Sequence, residues 1–176
     1  MKKSTIDFEI IKKYKSNIFV ETGTSNGAAT ILAVLAGYEK IYSIEINAEK
    51  QEKNRKHFAG YKHVHLITGD SLKEMQRIIP ALDKQATFWL DAHYEKTGPK
   101  GEKSCPIIDE LYAIYQSPIK NHIIMIDDMR IFEKRSWGKR IKKSDILEMI
   151  VKINPNYNIT YEDSRMAKND ILVAHV

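Results

Sequence analysis

The stretch IFVETGTSNGAAT, Ile18 to Thr30, decides how the chain is read. An apolar run meets Glu21; Gly23 and Gly27 then stand four apart with small polar residues between them, and a small-residue helical pattern follows. This predicts a strand that leaves through a tight turn into a helix. Glycines let a chain turn sharply and let another group approach the backbone. The N-terminus of the helix behind them can receive a polar or anionic group. Two phosphate-binding patterns are not met. A P-loop requires Gly-Lys-Ser/Thr, and Gly27 is followed by Ala28; the dinucleotide spacing G-x-G-x-x-G requires glycine where Ser25 stands. The turn is Gly-rich without being spaced for a diphosphate. Taken alone, it is also compatible with a strand-to-helix turn that binds nothing.

Outward from this stretch, strand-like and helix-like segments alternate. Strands are expected over 17–21, 40–46, 64–68, 86–91, 122–127, 157–162 and 170–176. Helices are expected over 5–15, 26–36, 48–58, 71–79, 106–117 and 144–153. Pro106 opens its helix, where proline is tolerated, and Ser144 is a candidate N-cap. Two polar loops, 92–105 and 129–141, interrupt the alternation. Apolar β-rich runs alternating with helices predict an α/β fold: a Rossmann-like, doubly wound, mostly parallel seven-stranded sheet in a three-layer αβα sandwich. The final two strands have no helix between them, so an antiparallel last strand is expected.

Length and composition suit this reading. The 176 residues are 43% hydrophobic and 29% charged, ordinary values for one globular domain spanning 1–176. The longest apolar run, Ala28 to Ala36, is too short for a membrane span, and the basic N-terminus is followed by no apolar leader core. The single cysteine, Cys105, cannot form an internal disulfide, which fits a reducing, cytoplasmic setting; a buried, inert thiol is its expected role. The net charge of +5 is a mild lean toward anionic partners. Much of the excess lies in RIFEKRSWGKRIKK, where Arg130, Lys134, Arg135, Lys139, Arg140, Lys142 and Lys143 face one acid, Glu133. This run is either a solvated loop or a substrate-facing one.

In open α/β sheets, ligands bind beyond the carboxyl ends of the strands, so the residues just after each strand carry the information. Glu45 ends the second strand, 22 residues past Gly23, where an acid can accept hydrogen bonds from a ribose. Gly69-Asp70-Ser71 follows the third strand. Asp70 can cap the next helix, meet an adenine amino group, or do both. Asp91-Ala92-His93-Tyr94 follows the fourth strand, and Asp127-Asp128 the fifth. Three carboxylates converging on one rim repel unless one is protonated or a cation binds. Hard cations such as Mg²⁺ take oxygen ligands of this kind. Alternatively, one of Asp127 and Asp128 caps a turn and only the other faces the cleft.

The segments VETGTSNG, YSIEIN, ITGDS and FWLDAH, in this order and spacing, resemble the class I S-adenosylmethionine-dependent methyltransferases. The resemblance runs from Ile18 to Val176. It implies a cofactor site for S-adenosylmethionine. In that site Gly23, Thr24, Ser25 and Gly27 lie under the methionine and ribose. Glu21 lies near the methionine end, Glu45 and Ile46 at the ribose, Asp70 and Ser71 near the adenine, and Asp91 beside the cofactor. The acids after strands four and five are similar to those of metal-dependent O-methyltransferases of the catechol and antibiotic-sugar types. That likeness implies Asp91, Asp127 and Asp128 as ligands of Mg²⁺. The sugar-type members carry a further acid, a general base, where this chain has His93. Near neutral pH a histidine is a competent base; it can equally be a metal ligand or a hydrogen-bonding residue. His93 and Asp91 are thus the expected catalytic pair.

The expected function is therefore O-methylation of a small molecule or sugar hydroxyl, with the two long loops, including Tyr94 and Trp137, forming the acceptor site. A nucleic-acid methyltransferase is the competing enzyme; the basic run favours it, and the lack of an Asn/Asp-Pro-Pro-aromatic tetrad after strand four opposes it. A non-catalytic nucleoside-binding protein of the same fold is the third reading, since fold does not establish function. No membrane partner is expected, and the helix at 5–15 could cap the sheet or form a homodimer.

Overall fold

A computed structural model describes residues 4–93, 104–134 and 136–176. Tyr94 and Arg135, and most of the loop at 92–105, lie outside the described residues. Seven strands form one sheet: β1 (Ile18–Thr22), β2 (Lys40–Glu45), β3 (Val64–Thr68), β4 (Ala86–Leu90), β5 (Ile123–Ile126), β6 (Asn158–Glu162) and β7 (Ile171–His175). Their spatial order is β3-β2-β1-β4-β5-β7-β6. Pairs among β1 to β5 are parallel, and β7 runs antiparallel to both β5 and β6. The strand order reverses between β1 and β4, which opens the crevice where ligands bind in such sheets.

The helices are α1 (Phe8–Lys13), α2 (Ala28–Ala36), α3 (Ala48–His57), α4 (Ser71–Ile78), α5 (Ile107–Tyr115) and α6 (Lys143–Ile153). Strand side chains alternate between the two faces. Val20, Ile44, Phe88 and Ile124 point into a core closed by Met75 of α4, Leu111 of α5 and Ile146 and Ile150 of α6. Phe19, Ile41, Trp89 and Met125 point into the other, closed by Ile11 of α1 and Ala29 and Ala33 of α2. Each fully buried Phe or Ile contributes roughly 1.5–3 kcal/mol of transfer free energy. Burial on both faces is why β1, β4 and β5 read as continuous apolar runs rather than alternating ones.

Two local expectations are corrected. Ser144 does not cap α6. Its hydroxyl donates to Asp145 Oδ1 at 3.3 Å, and the first helical amide, Lys143 N, donates instead to Glu133 Oε1 at 2.9 Å. A carboxylate brought in by the preceding loop thus satisfies the helix end. The helix expected over 5–15 is confined to Phe8–Lys13. Residues 5–7 are held by the turn between β6 and β7: Arg165 N donates to Thr5 O at 2.9 Å, and Arg165 Nε pairs with the Asp7 carboxylate.

Candidate functional site

A cavity of about 550 Å³ opens at the carboxyl ends of β1, β2, β3 and β4. The exit of β1 forms its floor. Gly23 N and Thr24 N both donate to Ile44 O, at 2.9 and 3.1 Å, which bends the chain toward β2. Gly23 has φ +87°, and a Cβ there would meet the Asp91 carbonyl oxygen at 2.7 Å. Gly27 has φ +76°, and a Cβ there would meet the Phe58 ring at 2.7 Å. Both glycines are therefore demanded by the protein's own neighbours, the backbone after β4 and the end of α3, whatever lies in the cavity. Gly23 lines the cavity and Gly27 does not; of the residues expected at the cofactor, Gly27 alone stands outside it.

The wall beside this floor is polar and largely held by uncharged groups. Glu45 Oε2 accepts from Ser25 N and Oε1 from Asn47 N, each at 2.8 Å. Two amide donors fix the carboxylate, and each of its oxygens retains a lone pair. Ser25 holds φ +50°, with its carbonyl accepting from Asn54 Nδ2 at 3.1 Å. Gln51 Nε2 donates to Ser43 O and Ile67 O, each at 2.9 Å. Gln51 and Asn54 are buried polar residues on α3 that brace the turn from behind; the run AEKQEKNRKH carries nothing that separates them from a solvated face. Asp70 lines the cavity and its Oδ1 accepts from Lys73 N at 3.4 Å, so it is a helix cap as well as a wall residue. Ile46, Ser71 and Thr24 also line it.

Glu21 lies at the base of the cavity, 1% exposed. Its Oε2 accepts from Thr30 Oγ1 and Ser43 Oγ, each at 2.5 Å. Burial pushes its carboxyl up to about 8, against the opposing pull of those two hydroxyls. Glu110 on α5 is likewise buried and pushed up to about 8 by desolvation. Its Oε1 has no hydrogen-bond partner among the described residues, and it borders a small void of about 10 Å³ beneath Asp91. Cys105 borders the same void, its thiol pushed up to about 12 by burial, which matches an inert thiol.

The opposite wall is charged. Asp91 and His93 follow β4 and line the cavity. His93 Nδ1 lies 3.6 Å from Asp91 Oδ1 and 3.9 Å from Asp128 Oδ2, and its ring stacks on Trp137 with centroids 4.5 Å apart. Burial raises the Asp91 carboxyl, against the lowering effect of His93. Asp127 and Asp128 part company after β5. Asp127 is 2% exposed and lies outside the large cavity; its Oδ1 accepts from Asp128 N at 2.7 Å and its Oδ2 from Thr5 Oγ1. Burial, then the neighbouring Asp91 and Asp128, hold its carboxyl well above the usual range. Asp128 takes φ +62°, which turns its side chain to the cavity. One of the pair caps and the other faces the cleft.

Arg130 completes this wall. Its Nη2 lies 2.6 Å from Asp128 Oδ1, its Nη1 pairs with Asp170 Oδ2, and its backbone N donates to Asp170 Oδ1 at 3.0 Å. Of the described residues in the basic run, Arg130 alone lines the cavity; Lys134, Lys139, Arg140 and Lys142 are exposed. The Arg130 partner Asp170 stands just before β7, 40 positions along the chain, so the pairing follows from the adjacency of β5 and β7. Thr5, Arg165 and Met166 also line the cavity and were not foreseen.

The expected metal set, Asp91, Asp127 and Asp128, is divided between two groups among the described residues, with Asp128 common to both. These groups bring ligand atoms within 4.8 Å of one another: Asp91, His93 and Asp128, and Asp127, Asp128 and Asp170. Arg130 pairs with Asp128 and Asp170 of the second group.

No protein-family model and no curated protein matches this sequence. Solved structures do match in fold. One is a Clostridium thermocellum protein proposed as an rRNA-methylase, with TM-score 0.66, 16% identity, 96% of this chain covered and 94% of that one. A second is the O-methyltransferase of Bacillus cereus in complex with S-adenosylhomocysteine, with TM-score 0.63, 12% identity and coverages of 96% and 78%. A third is an S-adenosylhomocysteine-bound methyltransferase of Podospora anserina, with TM-score 0.62, 11% identity and coverages of 96% and 75%. The fold is that of the class I methyltransferases, O-methyltransferases among them, as the four strand-end segments implied. Among the described residues no helix is long and apolar enough to cross a membrane.

Proposed function

We propose that this chain is an S-adenosylmethionine-dependent methyltransferase acting on a hydroxyl of a small molecule or sugar. The observation that carries this reading is the cavity itself. One wall offers Glu45 and Asp70 beside the Gly23 turn, and the facing wall offers Asp91 and His93. The donor set suits a nucleoside: Glu45 is fixed by two amides with lone pairs to spare for ribose hydroxyls, and Glu21 and Asp91 flank the far end. The neighbours solved with S-adenosylhomocysteine support the same reading.

When bound, S-adenosylmethionine supplies a methyl on a positive sulfonium; an acceptor oxygen–carbon bond forms as the carbon–sulfur bond breaks, its electron pair going to sulfur. The chain's residues hold and orient. His93 takes the proton leaving the acceptor hydroxyl. Asp91 and Asp128, at 3.6 and 3.9 Å from Nδ1, favour the charged ring that results. Trp137 fixes the ring plane by stacking. Divalent-metal assistance is a second reading, favoured by the grouping of Asp91, His93 and Asp128. These residues would hold the ion, which would polarise an acceptor oxygen. A mixed nitrogen and oxygen set suits Mn²⁺ or Fe²⁺ better than Mg²⁺.

Calorimetric titration with S-adenosylhomocysteine tests the core of the proposal. Micromolar binding that Glu45→Gln weakens about tenfold or more supports it, since one charged acceptor is lost. Absence of binding by a folded wild-type protein sinks it. Methyl transfer from labelled S-adenosylmethionine to sugars, to catechols and to RNA then separates the acceptors; transfer to RNA alone would favour the nucleic-acid reading.

A further inference from the structure

We propose that Arg130 is the resident cation of the acidic rim, balancing the carboxylates that follow β4 and β5 so that the site neither needs nor binds a divalent ion. The inference deepens the methyl-transfer reading and rests on it for what Arg130 does toward an acceptor.

Four carboxylates crowd this rim: Asp91, Asp127, Asp128 and Asp170. Oxygens of the last three lie within 4.8 Å of one another. Such a cluster persists with a carboxyl protonated, as the raised Asp127 allows, with compensating charge, or with both. The guanidinium is already placed to supply it, with one nitrogen 2.6 Å from Asp128 Oδ1 and another on Asp170 Oδ2. Asp170 is fully buried and further fixed by Ser164 Oγ at 2.6 Å and by the Arg130 amide. The arginine is therefore anchored at its backbone and at its head. The planar fork reaches both carboxylates at once, while a lysine ammonium would bring the same positive charge to the cluster as a single point.

Asp128 belongs to both candidate ligand groups. Arg130 Nη2 lies 2.6 Å from Oδ1 as an ion pair without the geometry of a hydrogen bond, and Oδ2 is the oxygen toward His93. An ion seated there would adjoin a permanently charged guanidinium, and the repulsion opposes its entry. Asp127 cannot swing in to help, because it is tied to the Asp128 amide and to Thr5. Arg130 lines the large cavity and has five N–H donors, of which its two carboxylate partners use a part. It can thus meet an acceptor oxygen directly, the electrostatic role a metal would otherwise fill.

The test is a titration with Mn²⁺ followed by electron paramagnetic resonance, on the full chain as wild type, Arg130→Met and Arg130→Lys. Thermal unfolding and S-adenosylhomocysteine calorimetry run alongside. The expected result is no binding below millimolar Mn²⁺ for wild type and for Arg130→Lys, and binding at least about tenfold tighter for Arg130→Met, whose Asp128 is released. One equivalent of Mn²⁺ held at micromolar strength by wild type overturns the proposal, whether or not Arg130→Met folds. So does a folded Arg130→Met whose Mn²⁺ affinity equals that of wild type. Failure of the folded wild-type protein to bind S-adenosylhomocysteine, with Mn²⁺ still excluded, would sink the methyltransferase reading and leave the assignment of the cation standing.

Discussion

The two walls of the cavity solve the same problem by different means. At the exits of β1, β2 and β3, buried acids are held by backbone amides and hydroxyls: Glu45 by Ser25 and Asn47, Glu21 by Thr30 and Ser43. At the exits of β4 and β5, Asp128 and Asp170 are held by a guanidinium and flanked by an imidazole. The amides and hydroxyls that hold these acids keep their own charge across the ordinary pH range, so the first wall is a template of fixed donors, although the Glu21 carboxyl itself is raised to about 8. Paired charges respond to protons, ions and ligands, so the second is where chemistry can be switched. A nucleoside of constant shape suits the first wall; a reacting hydroxyl suits the second.

The two glycines of the first wall give the sharpest way to break this contrast. Gly23→Ala sets a Cβ 2.7 Å from the Asp91 carbonyl, at φ +87°. The backbone of one wall then collides with the other, and neither can retreat. Urea unfolding should show a loss of about 3 kcal/mol, with S-adenosylhomocysteine binding abolished. Gly27→Ala meets a side chain, Phe58, which can shift. A loss of about 1–2 kcal/mol is expected, with nucleoside affinity in calorimetry kept within about threefold. Equal losses of binding in the two variants would show that Gly27 takes part in the site.

A pH series next reads the buried carboxyls of both walls together. Glu21 and Glu110 have ordinary values near 4.5 when unfolded and about 8 when folded. The folded chain binds their protons more tightly, so their contribution is fully present below about 4.5 and is lost as pH rises through about 8. Asp91 and Asp127 are raised as well and act in the same direction. Stability should fall between pH 5 and 8, with each such group adding at most ~1.4 kcal/mol per pH unit. Glu21→Gln and Glu110→Gln, which keep shape and remove the charge, should each flatten the slope measured by urea unfolding. An unchanged slope in both would show that these carboxyls do not hold protons.

The smallest effect is at α6. Ser144→Ala should change stability by less than about 0.5 kcal/mol, because Glu133 caps that helix; Glu133→Ala should be the more damaging change, by about 1 kcal/mol. A reversed order in thermal unfolding would restore the serine cap.

Much of this was legible along the chain. Apolar β-rich runs alternating with helical segments, and the Gly and Asp signals between them, placed every strand end within a residue or two, and with it the acids Glu45, Asp70, Asp91 and Asp128. The division of labour at Asp127-Asp128 was not legible. Alternation along a strand stops at its end, and the left-handed turn at Asp128 reassigns which side chain faces out. Arg130 was one of seven basic residues in a run that was either solvated or substrate-facing, and nothing singled it out, because its partner Asp170 is 40 positions away.

The α/β layering, the antiparallel last strand and the acids at the strand ends are written along the chain, because composition and turn chemistry act over a few residues. That Gly23 yields to the Asp91 carbonyl, that Thr5 and Arg165 clasp at the cavity rim, and that a guanidinium pairs with Asp128 and Asp170 emerges only in three dimensions. These depend on which distant segments meet, and in a doubly wound sheet that is set by strand order and not by spacing along the chain.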